Sequence, residues 1–165
     1  MSTYQIRPLE PRHDVALARV IRTTIAEFVP PDRQQFTSMA DAQLDSLSAF
    51  YNTAQRKFWV IEDTAGEIWG GGGFAPLDEG PIDTCELQKM YFDPKVRGQG
   101  FGKAILQLCL KEAPAAGFKR CYIETLSNMQ TAQALYTTHG FVSIPKSMGG
   151  TGHSHCDRFF IKDLS

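Results

Sequence analysis

The chain has 165 residues, of which 42% are hydrophobic and 21% charged, and its formal net charge is −1 at neutral pH. That composition indicates one soluble domain, residues 1–165, large enough to bury a core without disulfide or metal staples. The near-neutral balance argues against nucleic-acid and anionic-membrane partners, and no apolar run approaches the ~18 residues of a membrane span. The first residues, MSTYQIRPLEP, lack the apolar stretch of a secretory signal. The cysteines, Cys85, Cys109, Cys121 and Cys156, form no Cys-x-x-Cys pair. Together these features predict a reduced, cytoplasmic protein with mostly buried thiols.

In chain order, Tyr4–Arg7 alternates up to Pro8 and reads as a first strand. Asp14 is placed to cap a helix on which Leu17, Val20, Ile21, Ile25 and Phe28 recur at helical spacing, stopped by Pro30-Pro31. A second helix is predicted from about Met39 to Tyr51, with Leu44 and Leu47 on its apolar side. Lys57–Glu62 is aromatic and β-branched, a strand. Asp63–Gly66 is a turn, and Glu67–Phe74 the returning strand of a hairpin. That strand contains Gly70–Gly73, an unusual run that weakens a strand but permits a bulge or a close approach. A loop, 76–83, leads to a strand at Glu86–Phe92. A helix follows from about Gly100 to Glu112, ended by Pro114 and Gly117. Cys121–Leu126 is a strand, Met129–His139 a helix, and Phe141–Ile144 and Arg158–Ile161 are the last strands. The strand–helix–strand unit from Glu86 to Leu126 predicts a parallel crossover, and the early hairpins predict antiparallel neighbours. The fold class is α/β (α+β): a mixed sheet with helices on its faces.

The stretch with the clearest chemistry is Val96-Arg97-Gly98-Gln99-Gly100-Phe101-Gly102-Lys103. It leaves a strand and enters a helix N-terminus, where free N–H groups and the helix dipole favour phosphate. Its glycines admit close approach, and Arg97 and Lys103 add positive charge. Two familiar phosphate loops do not fit. A P-loop needs glycine where Arg97 stands and Ser or Thr where Ala104 stands. The dinucleotide fingerprint, counted from Gly98 and Gly100, requires glycine where Lys103 stands.

What fits is Arg97-x-x-Gly100-x-Gly102, which resembles the [QR]-x-x-G-x-[GA] signature of the GNAT superfamily of N-acetyltransferases. Glu124-Thr-Leu-Ser-Asn128, then Leu135-Tyr136-x-x-x-Gly140-Phe141, resembles the family's fifth strand and the helix after it. The element order matches over nearly the whole chain. The resemblance implies a sheet of about seven strands, mostly antiparallel, with about four helices on its faces and strands 4 and 5 splayed. It implies acetyl-CoA as co-substrate, with no metal, and transfer of its acetyl group to a small-molecule or peptide amine. It also implies that the pyrophosphate lies on Arg97, Gly98, Gln99, Gly100, Phe101, Gly102 and Lys103, and the acetyl and pantetheine groups on Met90, Tyr91 and Phe92, where a strand N–H polarises the carbonyl. Homodimers are frequent in similar proteins.

Roles for side chains follow from the same resemblance, each beside a plainer reading. Tyr136 is the candidate general acid for the leaving thiolate, or a core aromatic; a phenol near pKa 10 is protonated at neutral pH. Asn128 holds the pantetheine arm or caps a helix. Glu86 is the candidate general base, and Glu124 its rival; either is otherwise a surface or salt-bridged carboxylate, Glu86 with Lys89 or Arg120 for partner. A partly apolar cleft would raise the carboxylate pKa and improve the base. The acceptor side is expected at Phe28, Arg33 and Phe36 and at the tail loop with His153 and His155. His153, His155 and Cys156 also admit a zinc reading, weakened by their crowding into four residues. A non-catalytic acyl-CoA-binding module of the same fold is the alternative function.

Overall fold

A computed structural model describes residues 3–165. Seven strands form one sheet in the order β1-β2-β3-β4-β5-β7-β6: β1 Tyr4–Pro8, β2 Lys57–Asp63, β3 Ile68–Pro76, β4 Thr84–Phe92, β5 Arg120–Thr125, β6 Val142–Ile144 and β7 Arg158–Asp163. Only β4 and β5 pair in parallel; every other neighbouring pair is antiparallel. The α-helices are α1 Asp14–Phe28, α2 Leu47–Phe50, α3 Phe101–Ala115 and α4 Gln130–Thr138. The mixed sheet with helices on its faces is the architecture expected from the sequence.

The core lies on both faces of the sheet. Adjacent strand residues point to opposite sides. Val60 accordingly packs in a cluster with Leu17, Ile21 and Ile25 of α1, and Ile61 in another with Ile105 and Leu106 of α3 and Tyr136 of α4. Being covered on both faces explains the glycines of β3. A Cβ on Gly71 would stand 2.6 Å from Phe58 Cε1, and one on Gly73 would stand 2.7 Å from Phe58 Cδ2 and overlap the Lys57 carbonyl. A Cβ on Gly72 would overlap the Met90 sulfur. Neighbouring side chains use the volume that β3 leaves empty.

Opposite these glycines, β4 is bulged. Gly73 pairs with Gln88 and Gly71 with Tyr91, so Lys89 and Met90 together face Gly72. Lys89 takes up the extra residue at φ 53°, a left-handed conformation rare outside glycine. On its other edge β4 pairs with β5 only from Thr84 to Glu86, against Arg120 to Tyr122. Beyond that point the strands part, as the splay expectation requires.

Three local expectations are corrected. The helix predicted over 39–51 is a series of 3₁₀ turns at Pro31–Phe36, Ser38–Ala40 and Leu44–Ser46, leading to the single turn of α2. Thr37 Oγ1 accepts the Met39 N–H at 3.2 Å, and Asp41 is extended, so the turns are fixed one by one. Leu44, Leu47 and Tyr51 are still buried, which is why their spacing resembled a helix. Asp14 does not cap α1: its carboxylate accepts the Ser48 N–H and hydroxyl at 2.8 and 2.6 Å, joining α1 to α2. Pro114 lies inside the last turn of α3, where it forfeits one hydrogen bond, and the chain turns away at Gly117, φ 99°.

Gly73→Ala is expected to lower stability by about 1–3 kcal/mol, the range for overpacking a filled core. Urea unfolding checks it. A gain in stability, normal when alanine replaces a strand glycine with room beside it, would contradict this packing.

Candidate active site

The glycine loop sits between β4 and α3. Val96 anchors it in the core, and Asp93 Oδ1 accepts the Lys95 N–H at 2.9 Å. Gly98 and Gly100 have φ of 73° and 87°, and a Cβ on either would meet nothing within 4 Å. Glycine is therefore needed here for conformation, and the space beside the backbone is open. Gly100 is the N-cap of α3, so the N–H groups of Phe101, Gly102 and Lys103 have no intrahelical acceptor.

Arg97 is not a free cation at this loop. Its guanidinium forms a fork with Glu27 at 2.7 Å to each oxygen, its Nε donates to the Phe92 carbonyl at 2.8 Å, and it lies 5.6 Å from the Phe28 ring centroid. It fastens the loop to α1. The exposed Lys103 is in no ion pair among the described residues, so it carries the net positive charge expected of the pair. Gln99 turns back to the Lys95 carbonyl at 2.8 Å.

A cleft of about 560 Å³ opens from this loop into the gap between β4 and α4. Met90, Phe92, Gly98, Gly100, Phe101, Gly102, Lys103, Asn128 and Tyr136 line it, as does Arg97. Asn128 is not a helix cap; its amide donates to the Phe28 carbonyl at 3.0 Å, tying α4's approach to the end of α1. Tyr136 is 4% exposed, and its ring packs edge-on against Phe141 and tilted against Phe160. Burial pushes its phenol further above 10, so it is a proton donor at neutral pH.

A second cavity, of about 60 Å³, lies on the other side of the splay. It shares Phe28, Met90, Met129, Ala132 and Tyr136 with the larger cleft, so the two meet there. Tyr91 faces this side, with Glu86, Glu124, His153 and Cys156. Arg33, Phe36 and His155 line neither cavity: Arg33 stands exposed beside Asp32, and the Phe36 carbonyl accepts the His155 N–H at 3.2 Å. Of the three tail residues, His153 and Cys156 line the smaller cavity and His155 does not.

Glu86 is 4% exposed, and burial pushes its carboxyl up to about 7. A hydrogen bond from Gln88 and the charges of His153 and Lys89 oppose that rise, while Glu124 adds to it. Glu86, Glu124 and His153 bring polar atoms within 4.8 Å of one another. Glu124 accepts hydroxyls from Tyr122 at 2.8 Å and Thr151 at 2.9 Å. The partners imagined for Glu86 are engaged elsewhere: Lys89 Nζ lies 2.7 Å from Asp41, and Arg120 lies 3.0 Å from Asp83. Asp41 also holds His153 Nε2 at 2.8 Å. Burial would raise the Asp41 carboxyl, but His153 and Lys89 outweigh it and hold it low. Burial would likewise lower His153, but Asp41 raises it. The sequence reading did not single out Asp41, Gln88, Tyr51 or Tyr122. Asp41 was hidden in a pattern read as a helix, and nothing in sequence spacing links it to residues 89 and 153.

The model of the Acetyltransferase (GNAT) family matches residues 23–141. The chain is 41% identical over 159 residues to an N-acetyltransferase of Escherichia coli named YjgM, covering 96% of this chain and 94% of that one. It is 29% identical to rat N-acetyltransferase family 8 member 2 over 132 residues, which span 74% of this chain and 58% of the relative. A Staphylococcus aureus GNAT-family acetyltransferase superimposes with a TM-score of 0.77 at 20% identity, covering 98% of this chain and 99% of that one. A Salmonella typhimurium acetyltransferase, solved with its cofactor acetyl-CoA, superimposes at 0.72 with 20% identity, over 99% and 95% of the two chains.

The raised carboxyl of Glu86 predicts a pH-dependent stability. Between its ordinary value of 4.5 and about 7, the folded protein holds a proton that the unfolded chain releases. Stability attributable to this group is therefore complete below that window and falls as pH rises through it, by up to about 3 kcal/mol. Glu86→Gln should remove that dependence, gaining on the wild type between pH 5 and pH 8 in urea unfolding. Parallel pH curves for the two proteins would contradict the shift.

Proposed function

The chain belongs to the GNAT family of acetyltransferases, and from that premise we propose that it acetylates a primary amine by direct transfer from acetyl-CoA, with donor and acceptor bound together. The observation that carries this reading is the meeting of the two cavities at Tyr136 and Met90, where β4 and β5 part. The larger cleft fits the donor. Its glycine-loop N–H groups and Lys103 would hold the pyrophosphate, and Met90, Phe92 and Asn128 would border the pantetheine arm. Open space beside Gly98 and Gly100 leaves room for it.

Bound acetyl-CoA supplies a thioester carbonyl and a thiolate leaving group. The chain's own residues manage the protons. An alkylammonium near pKa 10.4 must lose a proton before its nitrogen can attack. Glu86, near 7 and in the smaller cavity, is a much stronger base than an ordinary carboxylate and takes that proton. Tyr136, which reaches both cavities, gives its proton to the departing sulfur, and the second proton that the nitrogen sheds as the amide forms restores the phenol. The Met90 backbone N–H is the donor assigned to the carbonyl; Met90 has no register partner on β3, because of the bulge. Glu124, whose oxygens accept from Tyr122 and Thr151, orders the far wall of the acceptor cavity.

Titration calorimetry should find micromolar acetyl-CoA binding that drops at least tenfold when Gly100→Glu and Gly102→Glu place carboxylates at the pyrophosphate. Tyr136→Phe should keep that affinity and lower thiol release, over a panel of primary amines, by about 10²-fold or more. Binding by the wild type with no thiol release for any amine would favour the non-catalytic acyl-CoA module instead. No binding by the folded wild type would remove the proposal.

A further inference from the structure

Glu86 does not stand alone in its cavity. Gln88 lies two residues along β4, on the same face and just before the bulge at Lys89. Its amide Nε2 donates to Glu86 Oε2 at 2.9 Å. Its Oε1 accepts the Tyr51 hydroxyl at 2.5 Å. Tyr51 is buried at the end of α2, its ring packed 4.9 Å from each of Phe50 and Phe58. A chain of two hydrogen bonds thus runs from a rigid buried phenol, through an amide, to one oxygen of the candidate base.

We propose that Gln88, oriented by Tyr51, is a positioning residue that fixes the Glu86 carboxylate in the acceptor cavity and favours its ionised form. The inference rests on the reading of Glu86 as the base, but its physical content can be tested without it. An amide has one donating and one accepting end. The Tyr51 hydroxyl occupies the accepting end, which leaves the donating end for Glu86. A flipped amide would turn its carbonyl oxygen toward a carboxylate and lose both bonds as they now stand. Donation to a carboxylate stabilises the charged form. Burial works the other way, and Gln88 is the largest of the influences that hold it back, ahead of the charges of His153 and Lys89. The other groups that face Glu86 are Glu124 from β5, His153 and Cys156 from the tail loop, and Lys89, Tyr91 and Tyr122 from the two strands. Asp41 stands behind them, engaging both Lys89 and His153. Among the described residues, Gln88 alone hydrogen-bonds the Glu86 carboxylate.

The test is a carbon-13 NMR titration of the full chain labelled at glutamate side-chain carboxyls. The Glu86 resonance is assigned by its loss in Glu86→Gln. In the wild type it should titrate near pH 7. In Gln88→Met, which keeps the volume and removes the amide, its midpoint should rise by half a unit or more, about threefold in the protonation equilibrium. Tyr51→Phe should shift it in the same direction by less, since the amide survives without its anchor. The low-pH limb of thiol release, for any amine the panel yields, should move with the midpoint. Tyr51→Phe deletes one atom and keeps the test decisive if Gln88→Met does not fold. Unmoved midpoints in the folded variants would overturn the proposal. A Glu86→Gln protein that still releases thiol at the wild-type rate would remove Glu86 as the base, and leave the titration result to stand on its own.

Discussion

The parting of β4 from β5 is the constraint on which the rest of this structure depends. Parallel pairing holds from Thr84 to Glu86 and then stops. Backbone groups freed from a ladder inside a protein need other partners, or a cavity that admits solvent or ligand. Here both outcomes occur. The bulge at Lys89 and Met90 keeps β4 bonded to β3 on one edge, while the other edge opens onto two connected cavities. The glycines of β3 are part of the same solution. They let Phe58 and Met90 fill the space behind the bulge, so the strand can distort without leaving a void.

Charge is distributed around this opening in two distinct ways. At the glycine loop, Arg97 is neutralised by Glu27 and serves as a brace, which leaves the helix N-terminus and Lys103 as the positive groups. Around the smaller cavity, the buried Lys89 and the half-buried His153 are both taken by Asp41. Two carboxylates, Glu86 and Glu124, face that cavity with, among the described residues, neutral donors on them: Gln88 for one, Tyr122 and Thr151 for the other. Burial without a bonded cation is what pushes the Glu86 carboxyl up to about 7. Asp41 also links three separate pieces of chain: the turns before α2, the bulge of β4 and the tail loop. The wall of the smaller cavity is thus held by electrostatics as well as by packing.

Much of this architecture was legible in the residues. Strands alternate or run apolar, and α1 and α3 carry helical spacing. The glycine loop does stand between a strand and a helix N-terminus, and Tyr136 and Glu86, named from the sequence, do line the cavities. The stretch 39–51 had the spacing of a helix, but Asp14 and Asp41 tie its turns to residues distant in sequence. The pairing of Arg97 with Glu27, 70 positions earlier, is likewise invisible in the glycine loop itself. Arg33, Phe36 and His155 lie on the expected loops and line neither cavity.

The sequence by itself determined most of the order of elements, the position of the glycine loop and the family, because periodicity and glycine placement act over a few residues of chain. Tertiary structure decided which charges are free and which carboxylate is buried, and it decided that Gln88 and Tyr51 stand behind Glu86. Those outcomes depend on partners brought together across the sheet: Asp41 with Lys89 and His153, Tyr51 with Gln88. A side chain's charge state is fixed by what surrounds it in space, and linear spacing carries no record of that.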